Sequence, residues 1–222
     1  MCFSAMSSFA GGAVLASIGT ATSLSNREPS RRLFAAIPLV FGIQQFAEGV
    51  VWLTLPTAGN EPIRKAATTL FLIAAVILWP TLVPLSVLLM ERTRKRRAWI
   101  LAFLGVGVAV SLAHAVGMLL FPVTARILGF HIQYAMASPL PVAMVTMAGY
   151  LVATIAPLFA SSVARVRVFG VIIALSYAAT QVFYREYLVS VWCFFAAIAS
   201  GVIWWILRER RPVVSPDASP VA

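Results

Sequence analysis

One carboxylate in this chain sits far from any polar stretch. The acidic residues are Glu28, Glu48, Glu61, Glu91, Glu186, Glu209 and Asp217, and only Glu48 lies well inside an apolar run. Gln44, Glu48 and Trp52 are spaced i, i+4, i+8, so on a helix they share one face, with Gln45 beside it. A carboxyl group flanked by carboxamides can exchange a proton, hold a cation or bind a solute. It can also tie helices together in its protonated form. The other chemistry-bearing side chains are few: Cys2, Cys193, His114 and His131. Cys2, His131 and Cys193 could form a Cys₂His zinc site with a fourth position open to water, and Glu48 would then act as catalytic general base. No CxxC, HExxH or HxxxH spacing supports a metal. A Cys2–Cys193 disulfide and two inert buried thiols stay open beside the zinc reading.

The elements that must position these residues follow from composition. The chain has 222 residues, of which 61% are hydrophobic and 11% charged. Soluble domains are roughly 45–50% apolar and 25% charged. A soluble enzyme, a disordered chain and a disulfide scaffold are therefore excluded, and an all-α integral membrane protein is expected. Seven apolar runs are long enough to cross a bilayer: about Ala5–Leu24, Leu33–Leu55, Ala66–Met90, Ala98–Leu120, Val142–Ala160, Val168–Tyr184 and Leu188–Leu207. Residues 1–211 form one seven-helix bundle in this reading, and 212–222 a disordered cytoplasmic tail. Pro80 and Pro84 are expected to kink the third helix, and Gly11, Gly12, Gly105 and Gly107 to allow close helix packing. The first arginine is Arg27, so no cleavable signal peptide is expected.

Of the 17 Lys and Arg, thirteen fall in alternate loops and the tail, and four on the opposite side. By the positive-inside rule the N-terminus lies outside and the C-terminus in the cytoplasm of a bacterial inner membrane. This accounts for the net charge of +10 without a nucleic-acid partner. The expected partners are the bilayer, a small molecule or ion, and a second copy of the chain. The longest connection, 121–141, faces outward, and its middle is apolar enough to lie in the interface or dip into the membrane. Glu48, His114 and Cys193 lie roughly 8–10 Å below the outer helix ends, at 1.5 Å rise per residue. Tyr134 in the outer loop, and Gln181 and Tyr184 at the outer end of the sixth run, join Gln44, Gln45 and Trp52 as candidate substrate-binding groups.

The segments Met1–Cys2–Phe3–Ser4–Ala5, Ile43–Gln44–Gln45–Phe46–Ala47–Glu48–Gly49–Val50–Val51–Trp52 and Ser190–Val191–Trp192–Cys193–Phe194–Phe195–Ala196–Ala197 carry a resemblance. The chain resembles an uncharacterised family of small bacterial multi-pass membrane proteins, a domain of unknown function opening with MCFSA. That resemblance implies a seven-span bacterial membrane protein and no activity. A looser likeness in span count and internal polar site links it to seven-span metal hydrolases of the alkaline ceramidase and progestin-receptor-like type, whose histidine-rich ligand set this chain lacks. The expected site is an outer-half cluster of Glu48, Gln44, Gln45, His131 and Cys193 closed by Cys2. Three roles fit it: a zinc-dependent hydrolase or hydratase on a small or lipid-like substrate, a proton- or cation-coupled transporter or channel, and a structural or sensor protein.

Overall fold

The computed structural model describes residues 4–208. Cys2 and the tail 212–222 lie outside them. The elements are α1 (Ala5–Ser25), α2 (Arg32–Ala35), α3 (Ile37–Thr54), α4 (Glu61–Leu72), α5 (Trp79–Met90), α6 (Arg94–Leu120), β1 (Val123–Leu128), β2 (His131–Met136), α7 (Leu140–Ala160), α8 (Ala164–Phe183), α9 (Leu188–Ser200) and α10 (Ile203–Leu207). The chain is thus an all-α membrane protein with one small hairpin. Six segments among the described residues are long and apolar enough to cross a membrane: Pro29–Thr54, Glu61–Met90, Arg94–Leu120, Leu140–Ala160, Ala164–Phe183 and Arg185–Leu207. The first expected run forms as α1, which carries ten Ser, Thr and Gly residues and is not among these six segments. The helices overrun the expected starts at Glu61, Arg94 and Ala164 because a helix continues past the apolar stretch into polar surroundings.

The connection 121–141 departs from the sequence expectation. It is an antiparallel hairpin in which Leu128 pairs with His131 across a Gly129–Phe130 turn, with Gly129 at φ 61°. Its residues alternate between faces, and Ile132 packs fully buried with Val51 and Ala67. Buried contacts on one face make a strand pair, which needs no lipid, the better home for this segment.

α3 is the most deeply set element: Gln44, Gln45, Glu48 and Val51 are all fully buried. α1 runs against it so closely that a Cβ on Gly19 would strike the Leu39 backbone, and one on Gly49 would lie 2.8 Å from the Phe9 ring. These two contacts make the helices antiparallel and set Ser8 level with the turn of α3 that follows Glu48. By contrast α6, α7 and α8 expose Leu101, Leu112, Met144 and Leu175, as lipid-facing helices do.

The segment Glu61–Met90 loses its regular α-helical hydrogen bonding just before its prolines. Residues Ile73–Leu78 between α4 and α5 form a π-turn, and the Trp79 N–H bonds the Ala74 carbonyl. In that register the next donor, opposite Ala75, falls on Pro80, which has no N–H. Tyr150 Oη fills the gap, donating to Ala75 O at 2.7 Å, and Ser111 Oγ donates to Ile77 O at 2.6 Å. Tyr150→Phe would leave a buried carbonyl bare. It is expected to lower unfolding free energy by about 1–3 kcal/mol, read by denaturation in detergent.

The basic segments gather at one end of the bundle. Arg31 donates to Leu207 O, Arg96 to Ala160 O and Ser161 O, and Arg165 to Trp205 O. Glu28 pairs with Arg31 at 2.6 Å and with Arg92 at 3.5 Å. The three basic loops and the C-terminal helix therefore share one face, with guanidinium groups on helix-terminal carbonyls.

Candidate buried polar site

Residues 41, 44, 45, 48 and 52 line the inner side of α3, and the neighbours supply the partners. Ser190 at the start of α9 donates its hydroxyl to Glu48 Oε1 at 2.6 Å, both residues fully buried. Trp79 of α5 donates Nε1 to Gln44 Oε1 at 2.8 Å, and its ring stacks on Phe41 at 4.0 Å. Cys193 is buried one turn along α9 from Ser190, within interaction range of Gln44 and Glu48. Helical spacing alone brings Ser190 and Cys193 to the same face. Three helices far apart in sequence thus meet around one carboxyl group.

Gln45 differs from its neighbours. It is fully buried, and neither its Oε1 nor its Nε2 has a hydrogen-bond partner among the described residues. Gln44 Nε2, Ser8 Oγ, Trp52 Nε1 and Trp192 Nε1 are buried atoms in the same condition. Ser8 and Trp52 fall at the level of Glu48 and just beyond it. Buried polar groups without partners are rare in folded proteins, each costing about 1–3 kcal/mol. Several such atoms lie on the Glu48 face of α3 or on the helices packed against it.

The structure brings together Gln44, Gln45, Glu48, Trp52 and Cys193 of the expected set. Tyr134 borders it, stacked on Phe71 at 4.6 Å within the apolar cluster that contains Cys193 and Ala47. His131 goes elsewhere: its ring lies 5.3 Å from Tyr184 and 4.7 Å from Tyr187. Hairpin pairing puts it at the strand end beside the turn, so it straps β2 to the Tyr184–Tyr187 bend. Burial there lowers its pKa below the ordinary histidine value. Gln181 is half-buried on α8 and makes no hydrogen bond to the cluster. Among the described residues no three His, Cys, Asp or Glu side chains stand close enough to hold a metal ion. Cys2, the remaining expected ligand, lies outside the described residues.

Sequence reasoning missed Trp79, Tyr150 and Trp192 as parts of the site. Trp192 packs edge-on between Tyr150 and Tyr177, at 5.5 and 5.2 Å. Its position beside Ser190 and Cys193 in one run was the available signal. Nothing in the spacing of Trp79 pointed to Gln44, 35 residues away.

Residues 1–218 of the chain match a family described as a family of unknown function, DUF6629. No curated protein and no solved structure matches the chain.

Proposed function

The chain belongs to this family of unknown function, and from the geometry of its buried site we propose that it is a proton-coupled membrane protein. In this reading the Glu48–Gln45–Gln44 cluster binds a small polar solute and Glu48 carries the coupled proton. The observation that supports it is Gln45, a fully buried carboxamide with no hydrogen-bond partner among the described residues, one helical turn from Glu48. A carboxamide offers one acceptor and two donors, so its visitor must bring both kinds of group: water, a carboxylic acid, an amide or an alcohol. The Ser190 hydroxyl donates to Glu48 Oε1 and fixes the carboxyl group beside Gln45, where a proton can be exchanged.

The chain in this reading crosses the bacterial inner membrane seven times, α1 included, with the basic end in the cytoplasm and the hairpin outside. The test is proton entry into proteoliposomes loaded with a pH-sensitive dye, with a potassium diffusion potential imposed and a small amide, acetamide, added outside. Wild-type protein is expected to acidify the lumen and Glu48→Gln to abolish the signal while keeping the same melting temperature. Equal acidification by Glu48→Gln and wild type would overturn the proposal.

The hydrolytic reading keeps one observation in its favour, the burial of Cys193 beside Glu48. It requires Cys2 and His131 to join Cys193 around zinc, with Glu48 taking a proton from water. Purified protein would then carry about one equivalent of zinc, the stoichiometry of one site. His131 against Tyr184 and Tyr187 is the feature it must displace.

A further inference from the structure

A second feature lies outside the Glu48 cluster. Between α6 and α7, roofed by the hairpin, runs a groove of about 640 Å³ lined by His114, Gly117, Met136, Thr146, Met147 and Val189, among others. That volume is within the usual range of small-molecule sites. Leu112, Val116 and Val142 at its walls are exposed, so its mouth opens on the side where membrane-spanning helices meet lipid. A smaller cavity of about 30 Å³ continues inward from the same His114, Val76, Met147 and Val189 to Tyr150, Trp192 and Cys193. A third, of about 40 Å³, begins at Tyr150, Trp192 and Cys193 and extends toward Trp79 and Phe41. Each inner space is large enough for water.

His114 stands where the groove meets the inner cavity. Its Nδ1 lies 3.0 Å from Val110 O, and a ring nitrogen facing a carbonyl must carry the proton. In the neutral ring Nε2 is then an acceptor, and it has no partner among the described residues. An apolar groove with one imidazole acceptor at its inner end suits one kind of molecule: an aliphatic chain whose head donates a hydrogen bond.

The geometry points to a binding site for a single-chain amphiphile with a hydroxyl head, a long-chain alcohol or a protonated fatty acid. Its O–H donates to His114 Nε2, and its tail lies along α6 and α7 toward the bilayer. Occupancy of this groove does not require Glu48, but the site gains its purpose from the proposed function, because the inner cavities lead from the head group to Cys193 beside that carboxyl.

The experiment uses a long-chain alcohol with a diazirine in its tail, and the methyl ether of the same alcohol, in vesicles holding the full chain. Photolabelled residues are mapped by mass spectrometry. The alcohol is expected to label 112–118 and 142–147 several-fold more than the exposed faces of α8, and the ether to lose that excess. His114→Leu removes only the head contact and is expected to weaken labelling roughly five- to tenfold, the equivalent of one hydrogen bond. Val189→Trp fills the groove and is expected to abolish the excess; a melting temperature near wild type verifies each fold. Equal labelling by alcohol and ether, or labelling spread evenly over all lipid-facing helices, would overturn the inference. Glu48→Gln is expected to label as wild type, so proton entry that is equal in Glu48→Gln and wild type, with labelling intact, faults the proposed function alone.

Discussion

Gly107→Ala is expected to destabilise the protein by about 3 kcal/mol or more, the upper range for forced overpacking. A Cβ at position 107 would fall onto the carbonyl oxygen of Pro80 and lie 2.8 Å from its carbon. That carbonyl comes so near because Pro84, four residues on, has no N–H to give it. It leaves the α5 ladder and meets α6 at Gly107, which has no side chain to obstruct it. Both sides of the contact are backbone, so no rotamer change relieves it, and the two helices must part. Gly105, two residues earlier, has nothing within 4 Å of where its Cβ would be. Gly105→Ala should therefore be neutral, or stabilising by up to about 1 kcal/mol through helix propensity. Thermal unfolding of the two variants in the same detergent is the measurement, and equal melting temperatures would show that α5 and α6 do not approach as described.

Glu91→Ala should cost about 3 kcal/mol. Glu91 is 2% exposed although it lies at the basic end. Its Oε1 accepts the N–H groups of Arg92 and Thr93 at 3.0 and 2.9 Å, and its Oε2 accepts that of Ser162 at 2.6 Å. One carboxylate thereby pins the α5–α6 turn to the α7–α8 turn. Hydrogen bonds to a charged acceptor contribute about 1.5–3 kcal/mol each, and removing the acceptor leaves three donors to find water. Burial raises the pKa of Glu91, but hydrogen bonds from Thr93 and Ser162 outweigh it and hold the group below its ordinary value. The folded pKa is thus depressed. Its stabilisation is complete above the unfolded carboxyl value of about 4.3 and is lost as pH falls through the lower folded value. Unfolding followed from pH 7 into the acid range should show wild-type stability declining below that value and Glu91→Gln declining less. Parallel curves would mean that Glu91 is not the clamp.

How much of this was legible beforehand differs by element. Period and length suffice for the helices, because a segment in lipid must satisfy its backbone internally and only a helix does so alone. That is why the apolar runs recur as helices displaced by only a few residues. The hairpin at 123–136 was not legible as such: a short apolar stretch of alternating burial reads equally well as interfacial loop, and its strand pairing depends on Ile132 and Tyr134 finding Val51 and Phe71. His131 shows the cost of reasoning from depth alone, since strand register turned it toward Tyr184 and Tyr187 rather than toward Glu48.

By itself the sequence determined that this is a helical membrane protein and that Glu48, Gln44 and Gln45 face inward, because an acid and two amides among twenty apolar residues have nowhere else to go. Only the tertiary structure decided who meets them. Ser190 is 142 positions from Glu48 and Trp79 is 35 from Gln44, and no periodic pattern links them. Local periodicity sets the face of a helix. Which faces touch is set by close packing, here by Gly19 and Gly107 admitting a neighbouring backbone, and that information exists only when the helices are assembled.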